Sequence, residues 1–218
     1  MIKKALVTCG PTLEPLDPVR FISNRSTGTL GIELARAFAR RGYQVVLAAG
    51  PIVLPNDLGP RVRIVRFEAA RELHRIALKE FSSCAAVCMT AAVADFRPAL
   101  VAASKIKRGK TSRTIRLVPN PDILADLGRR KKRGQILVGF SVESEDLEAR
   151  AEEKLARKNL DLIAAQWVGE KQNPFGQVEV NVTILGKGGS FERLRKVSKH
   201  RLAERLVSRV EALGRQAS

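Results

Sequence analysis

An α/β fold, with a mainly parallel sheet between two layers of helices, follows from three observations. Short apolar runs alternate along the chain with longer stretches whose apolar residues recur every three or four positions, so strand and helix signals take turns. Clusters of Gly, Pro and Asn punctuate them. Regular strand–helix alternation is the pattern of βαβ units, whose ligands sit beyond the carboxyl ends of the strands. At 218 residues, 44% of them hydrophobic, the chain is long enough to bury one substantial core, and residues 1–218 read as one domain.

Ala5-Leu6-Val7 is the first buried strand. A long loop leads to a helix from Thr29 onward, with Leu30, Leu34, Ala37 and Phe38 at helical spacing. Gln44 to Ala49 is the second strand, Pro51 to Pro60 a loop, and Arg61 to Phe67 a strand polar on one side. Ala69 to Glu80 is helical, and Ala85 to Thr90 is a strongly apolar strand. Residues 99–113 are small and basic without apolar periodicity, which predicts a flexible flap. Thr114 to Val118 returns as a strand, and Pro119 to Ile123 opens a helix with Pro121 in its first turn. Gln135 to Phe140 is a strand, Asp146 to Lys158 a helix, and Leu162 to Ala165 a strand. The alternating Val178, Val180, Val182 and Ile184 then predict a small antiparallel extension, ended by Gly186-Lys187-Gly188-Gly189. Leu202, Leu206, Val210 and Leu213 form the packing stripe of a last helix. The whole is a Rossmann-like three-layer sandwich.

Composition narrows the function. Lys plus Arg number 39 against 22 Asp plus Glu, a formal net charge of +17 that favours anionic ligands. Only 5% of residues are aromatic and no nucleic-acid module is recognisable, so no specific nucleic-acid partner is expected; a basic nucleic-acid-binding protein is the alternative that charge alone supports. Cys9, Cys84 and Cys88 have neither a disulfide framework nor metal spacing and read as buried thiols. His74 and His200 read as surface residues. No apolar run reaches the roughly 20 residues that span a bilayer, and the apolar stretch after Met1-Ile2-Lys3-Lys4 is too short for a secretory signal, so a cytoplasmic location without membrane contact is expected.

The chemistry concentrates in Gly10 to Gly31. A strand that runs through a loop into a helix N-terminus offers unpaired N–H groups to an anion. Ser26 and Thr27 are able to cap that helix or donate to a ligand, Gly28 and Gly31 permit close backbone approach, and Arg20 and Asn24 add a fixed cation and a neutral amide. The loop is too long for the G-x-G-x-x-G turn, and Ala48-Ala49-Gly50 lacks the acidic residue that a nicotinamide-dependent reductase would place there, which leaves that alternative weakly supported. Asp95, after Ala91-Ala92-Val93-Ala94, either caps a turn or faces a ligand; Lys154 and Lys158, four apart on a helix, either stay solvated or share a polyanion.

The run Gly10-Pro11-Thr12, Glu14-Pro15, Asp17-Pro18-Val19-Arg20, Ile22-Ser23-Asn24, Ser26 and Gly28 resembles the opening of phosphopantothenoylcysteine synthetase, also called phosphopantothenate–cysteine ligase. Four later motifs resemble the same family in order. They are Ala91 to Pro98 with Lys105-Ile106-Lys107, Asn120-Pro121-Asp122-Ile123, Gly139-Phe140 with Glu143, and Lys154-x-x-x-Lys158-Asn159-Leu160-Asp161. The resemblance implies a ligase of coenzyme A biosynthesis that joins 4′-phosphopantothenate to L-cysteine through an acyl-nucleotide, with CTP favoured over ATP. It implies Mg²⁺ held mainly through the nucleotide's phosphates, no flavin, and a homodimer to which the Val178–Ile184 ribbon contributes.

By the same resemblance, Arg20, Asn24 and Lys105 are catalytic, with Lys105 on the flap that closes over the site. Arg20, Asn24, Ser26, Gly28 and Ala92 would bind substrate. Met89, Thr90, Ala91, Asp95, Lys105, Asn120, Pro121, Asp122, Ile123, Leu124 and Phe140 would bind the nucleotide, with Lys154 and Lys158 on its phosphates. Two departures stand out: Thr29 occupies a position where many bacterial relatives have lysine, and for the flavin-dependent decarboxylase usually fused ahead of this domain the expectation is either a separate protein or a longer chain of which this is a fragment.

Overall fold

A computed structural model of the chain describes residues 3–109, 111–169 and 173–216. Of the expected flap, Lys110 lies outside the described residues. In chain order the elements are β1 (Lys4–Cys9), β2 (Glu14–Pro15), β3 (Phe21–Ile22), α1 (Thr29–Arg40), β4 (Gln44–Ala49), β5 (Val62–Arg66), α2 (Ala70–Phe81) and β6 (Ala86–Met89). They continue with β7 (Phe96–Pro98), β8 (Leu117–Pro119), α3 (Ile123–Arg130), β9 (Ile136–Glu143), α4 (Leu147–Arg157), β10 (Leu162–Trp167), β11 (Val180–Gly186), β12 (Ser190–Val197) and α5 (Lys199–Gln216).

The main sheet has eight strands in the order β12-β11-β10-β9-β6-β1-β4-β5. From β5 to β10 every pairing is parallel, while β11 and β12 join antiparallel. The expected fold class is therefore the observed one. Strands covered on both faces read as continuous apolar runs, and β1 shows why: Ala5, Val7 and Cys9 pack into one core with α1 and α5, whereas Leu6 packs into the other with α2, α3 and α4. The predicted stripe of α5 is buried at Leu202, Leu206 and Val210.

Three local expectations change. The strand expected at Thr114–Val118 is only Leu117–Pro119, and it pairs with β7 in a two-stranded sheet away from the main one. Pro121 is not in the first turn of α3: Asp122 is the N-cap, accepting from Ala125 N at 3.1 Å, and the helix begins at Ile123. The second strand of the hairpin, Ser190–Val197, escaped notice because an edge strand needs little apolar patterning, and charged residues there discourage further pairing. Its presence also covers β11, so the ribbon expected to offer a dimer contact is paired on both sides within the chain.

Two glycines hold α1 against the sheet. Gly28, at φ +73°, is its left-handed N-cap. At Gly31 a Cβ would lie 2.4 Å from Cys9 Cβ, 2.7 Å from Thr90 Oγ1 and 2.9 Å from Thr8 O, so α1 lies too close to β1 and to the residue after β6 for a side chain there. Gly31→Ala should destabilise the fold by about 1–3 kcal/mol through overpacking, a fall of roughly 2–4 °C per kcal/mol in thermal midpoint. Gly109→Ala, where nothing lies within 4 Å of the added Cβ, should leave the midpoint unchanged.

Candidate active site

The connection after β1 returns through α1 to β4 on one side, while β6 leads on through α3 to β9 on the other. Loops leaving β1 and β6 therefore diverge, and a crevice opens between their carboxyl ends. Hydroxyl groups stitch its floor together. Buried Thr8 Oγ1 accepts from Ala91 N at 3.0 Å, Thr12 Oγ1 accepts from Ala94 N at 3.0 Å, and Thr90 Oγ1 donates to Thr8 O. A bridge between Pro11 and Ala92 continues the pairing beyond the strands. Glu14, 1% exposed, accepts from Ala70 N at 3.0 Å, so this acidic motif residue secures the N-terminus of α2.

Asn24 is held across the crevice. Its Nδ2 donates to Ala92 O at 2.8 Å, and its Oδ1 is buried without a partner. A buried polar atom left unpaired in a native fold costs free energy and calls for a ligand or other cause. On the adjoining loop, Asp17 accepts from Val19 N and Arg20 N at 2.9 Å each and from Arg20 Nε at 3.0 Å. Ile106 completes the clamp: its N donates to Asp17 at 3.1 Å, and its O accepts from Arg20 Nη2 at 2.7 Å. The Arg20 guanidinium holds the Asp17 carboxyl far below the usual carboxylate range.

One cleft of 430 Å³ collects most of the expected residues: Asn24, Ser26 and Gly28 from the first loop; Met89, Thr90, Ala91, Ala92 and Asp95 from the second; Asn120, Pro121, Asp122, Ile123 and Leu124 at α3; then Phe140, Lys154 and Lys158. Arg20 and Lys105 are not in its lining. Instead, Arg20 grips Ile106 beside Lys105, and Lys105 is exposed. The α1 cap also differs from expectation: no side chain caps the helix, Thr27 and Thr29 hydroxyls bond each other at 2.9 Å, and Ser26 Oγ accepts from Gly28 N at 3.3 Å.

The α3 side is sewn to the second loop by Asn120, whose Nδ2 donates to Ala94 O at 2.9 Å and whose N donates to Asp95 O at 2.8 Å. Both lysines already have acidic neighbours. Lys154 donates to Ser141 Oγ at 2.9 Å and Glu143 Oε1 at 3.2 Å, and Lys158 donates to Asp122 at 2.8 Å. Burial alone raises the Glu143 and Asp122 carboxyls, but hydrogen bonds from Ser141 and Lys154, and from Lys158 and Ala125, outweigh it and hold both below their ordinary values. Each lysine is thus charge-compensated within the chain.

Gln166 escaped sequence reasoning altogether. It lines the cleft, is 7% exposed, and has a buried Nε2 without a partner. Among the described residues, Asn24 Oδ1 and Gln166 Nε2 are the two such side-chain atoms, and both belong to this cleft. Lys199 and Phe175 were missed as well; Lys199, buried at the start of α5, donates to Pro174 O at 2.7 Å and Gly176 O at 2.5 Å. Burial pushes the Cys9 thiol up to about 12, against a small opposing effect of Arg66, and Cys84 to about 11, so both stay protonated at neutral pH, as buried thiols should. His74 is half-buried against Asp126 at 2.7 Å, whereas His200 is exposed as expected.

Residues 1–213 match the family described as DNA/pantothenate metabolism flavoprotein C-terminal domain. The chain is 39% identical over 214 residues to the coenzyme A biosynthesis bifunctional protein CoaBC of Bacillus subtilis (strain 168), covering 98% of this chain and 52% of that protein. It is 36% identical over 211 residues to a cysteine/cysteine sulfinic acid decarboxylase of an unknown prokaryotic organism, covering 97% of this chain and 58% of that protein. The chain thus spans about half the length of these relatives. A crystal structure of the C-terminal domain of a CoaBC protein superimposes with a TM-score of 0.80 at 31% identity, covering 97% of this chain and 95% of that one. No helix among the described residues is long and apolar enough to cross a membrane.

Because the folded pKa of Asp17 is depressed, its contribution to stability is full above the unfolded value of about 3.9 and is lost as pH falls below it toward the folded value. Asp17→Asn should lower the urea midpoint at pH 7. The gap from the parent protein should narrow progressively below about pH 4; a gap independent of pH would show that the carboxylate charge is not what secures the clamp.

Proposed function

Because the chain belongs to the DNA/pantothenate metabolism flavoprotein C-terminal domain family, we propose that it joins 4′-phosphopantothenate to L-cysteine, in coenzyme A biosynthesis, at the expense of a nucleoside triphosphate. The observation that carries this reading is the Asn24 carboxamide, fixed by Ala92 O on one side and buried without a partner on the other, in the crevice between the two loops. Nδ2 keeps a second N–H that is able to donate to an anion, and the unpartnered Oδ1 is an acceptor for a donor on the substrate, such as the attacking amine.

The phosphopantothenate carboxylate attacks the α-phosphorus, pyrophosphate leaves, and an acyl-nucleotide results. Cysteine's amine then attacks the acyl carbon, loses a proton and expels the nucleoside monophosphate, leaving the amide. Asn24 holds the acyl-nucleotide, Arg20 orients the phosphopantothenate end, and Lys105 comes over the site as its flap, pinned at Ile106, closes. Asp95, Asn120 to Leu124 and Phe140 bind the nucleoside, and Lys154 and Lys158 reach its phosphates. Ser26, Gly28 and Ala92 complete the substrate face. CTP is the favoured nucleotide, on the resemblance of the Asn120–Ile123 loop and the lysine pair to bacterial members.

Among the described residues no group of three or more His, Cys, Asp or Glu side chains is able to hold a metal by itself. That donor set fits Mg²⁺ carried on phosphate oxygens, which requires few protein carboxylates; Asp95 is the carboxylate of the cleft not committed to a lysine. Bound there, Mg²⁺ would screen phosphate charge. A homodimer is supported by Val19, Phe21, Phe96, Leu100 and Leu117, all exposed on or beside the small sheets β2–β3 and β7–β8, which contact each other. The decarboxylation that follows takes the amide product of this domain, whether on a separate protein or on the same longer chain.

Pyrophosphate release with 4′-phosphopantothenate, Mg²⁺ and either CTP or ATP, with and without L-cysteine, tests the reading. Release that needs phosphopantothenate, with amide formed only when cysteine is present, is the expected result; release indifferent to phosphopantothenate would sink it. Asn24→Asp should still bind nucleotide but lose amide formation by about 10²–10³-fold, measured as product by mass spectrometry. Normal turnover in that variant would remove Asn24 from the mechanism.

A further inference from the structure

A second cavity, of 610 Å³, opens beside the cleft and is lined by Arg71, His74, Arg75, Arg97 and the segment Pro119 to Pro121. Asn120 and Pro121 line both spaces, so this segment is the wall between them. Arg71 and Arg75 come from the first two turns of α2, and Arg97 from the middle of β7, where alternation turns it away from the face of exposed Phe96. Arg97 donates through Nη1 to Pro119 O and, at 3.3 Å, to Asn120 Oδ1, which leaves Nε and Nη2 for another acceptor. Arg75 Nε donates to Arg71 O at 3.4 Å. Among the described residues none of the three arginines has a carboxylate partner. Asp126, the acid of α3 that meets this face of α2, is taken up by His74 at 2.7 Å and by Arg129, and Glu72 accepts from Glu68 N at 2.9 Å.

The two α2 cations stand against local preference. One helical turn apart, like charges repel and cost helix stability, and Arg71 lies in the first turn, where the helix dipole disfavours a cation. Acidic partners of the kind that meet Lys4, Arg36 and Arg41 are missing here among the described residues. An anion held between the guanidiniums would offset both penalties.

We propose that Arg71, Arg75 and Arg97 form a binding site for a small molecule carrying two phosphate groups, and that its occupancy braces the Pro119 to Pro121 segment and so tightens nucleotide binding in the adjoining cleft. Guanidinium forks match phosphate oxygens in pairs, and Arg97 on one phosphate with Arg71 and Arg75 on the other uses all three. Bracing runs through Arg97: an oxygen on Nε and Nη2 fixes the guanidinium whose Nη1 holds Pro119 O and Asn120 Oδ1. Asn120 in turn donates to Ala94 O at 2.9 Å and to Asp95 O at 2.8 Å, which ties it to the loop after β6. The site stands on its own geometry; only the identity of the neighbouring ligand as a nucleotide rests on the ligase reading.

The test is calorimetric titration of 2,3-bisphosphoglycerate and of inorganic phosphate into the parent protein, R71A/R75A and R130A/R133A, with thermal melts to confirm folding. R130A/R133A removes the same charge from exposed positions away from the cavity. The bisphosphate should bind the parent and R130A/R133A within twofold of one another and R71A/R75A about tenfold or more weakly, with inorganic phosphate weaker than the bisphosphate throughout. Unliganded R71A/R75A should melt no lower than the parent. In the parent and not in R71A/R75A, saturating bisphosphate should raise affinity for CTP, or for ATP if ATP supports turnover, about fivefold or more, and the nucleotide should raise bisphosphate affinity by the same factor. No bisphosphate binding by the parent at millimolar concentration, affinity in R71A/R75A within twofold of the parent, or equal weakening in R130A/R133A would overturn the site, the last because net charge would then suffice. Bisphosphate that displaces the nucleotide, or leaves its affinity unchanged, would overturn the bracing. In the parent, arginine Nε–H resonances should shift with the bisphosphate, a readout that survives if R71A/R75A misfolds; no shift at saturation would count against the site. Bisphosphate bound through Arg71 and Arg75 in a protein that makes no amide would keep the site and remove the ligase, and amide formation without bisphosphate binding would do the reverse.

Discussion

The architecture of the site depends on the pinning of the β1 and β6 exits to one another. Two parallel strands whose connections part in opposite directions would leave ragged ends. Here the hydroxyls of Thr8 and Thr12 accept from Ala91 and Ala94, Thr90 returns a bond to Thr8 O, and the Pro11–Ala92 bridge extends the ladder past the last regular pair. Buried backbone groups in such loops need partners, and threonine is short enough to supply them without taking the space a ligand requires. Asn24 is oriented only because Ala92 O is fixed in this way.

Charge in the cleft is arranged more economically than a net +17 suggests. Lys154 and Lys158 are each met by a carboxylate, so neither stands as an uncompensated buried cation. Lys199 satisfies two carbonyls of the covering segment, and Arg20 is occupied by Asp17 and Ile106. Among the described residues, the buried side-chain atoms of the cleft left without a partner are neutral, one in each of two carboxamides, and the N–H groups at the start of α1 join them. The helix N–H groups and Gln166 Nε2 are directional donors that need no charge partner, whereas Asn24 Oδ1 is an acceptor.

Much of this was legible beforehand, for identifiable reasons. Buried strands and amphipathic helices announce themselves by local periodicity, so Lys4–Cys9, Gln44–Ala49, Ala86–Met89 and the stripe of α5 fell where expected. The loops rich in Gly, Pro and Asn marked themselves by composition, and nearly all residues singled out in them line one cleft. Gln166 and Lys199 left no such mark, because a glutamine ending an apolar strand and a lysine opening a helix are common locally. Their burial depends on the packing of α5 against α1 and on the segment of Pro174 to Gly176, contacts between residues far apart in sequence. The Asp17–Arg20–Ile106 clamp was hidden for the same reason, since its partners stand 86 and 89 residues apart.

By itself the sequence determined the alternation of elements, the apolar faces and the loops that carry chemistry, since each depends on the spacing of neighbours along the chain. Tertiary structure decided which of those loops meet, which lysines are already paired, and which two carboxamides each keep a buried atom without a partner. Those are properties of dehydrated surroundings, and a residue's surroundings are set by the strands brought beside it in the sheet and the helices laid over it.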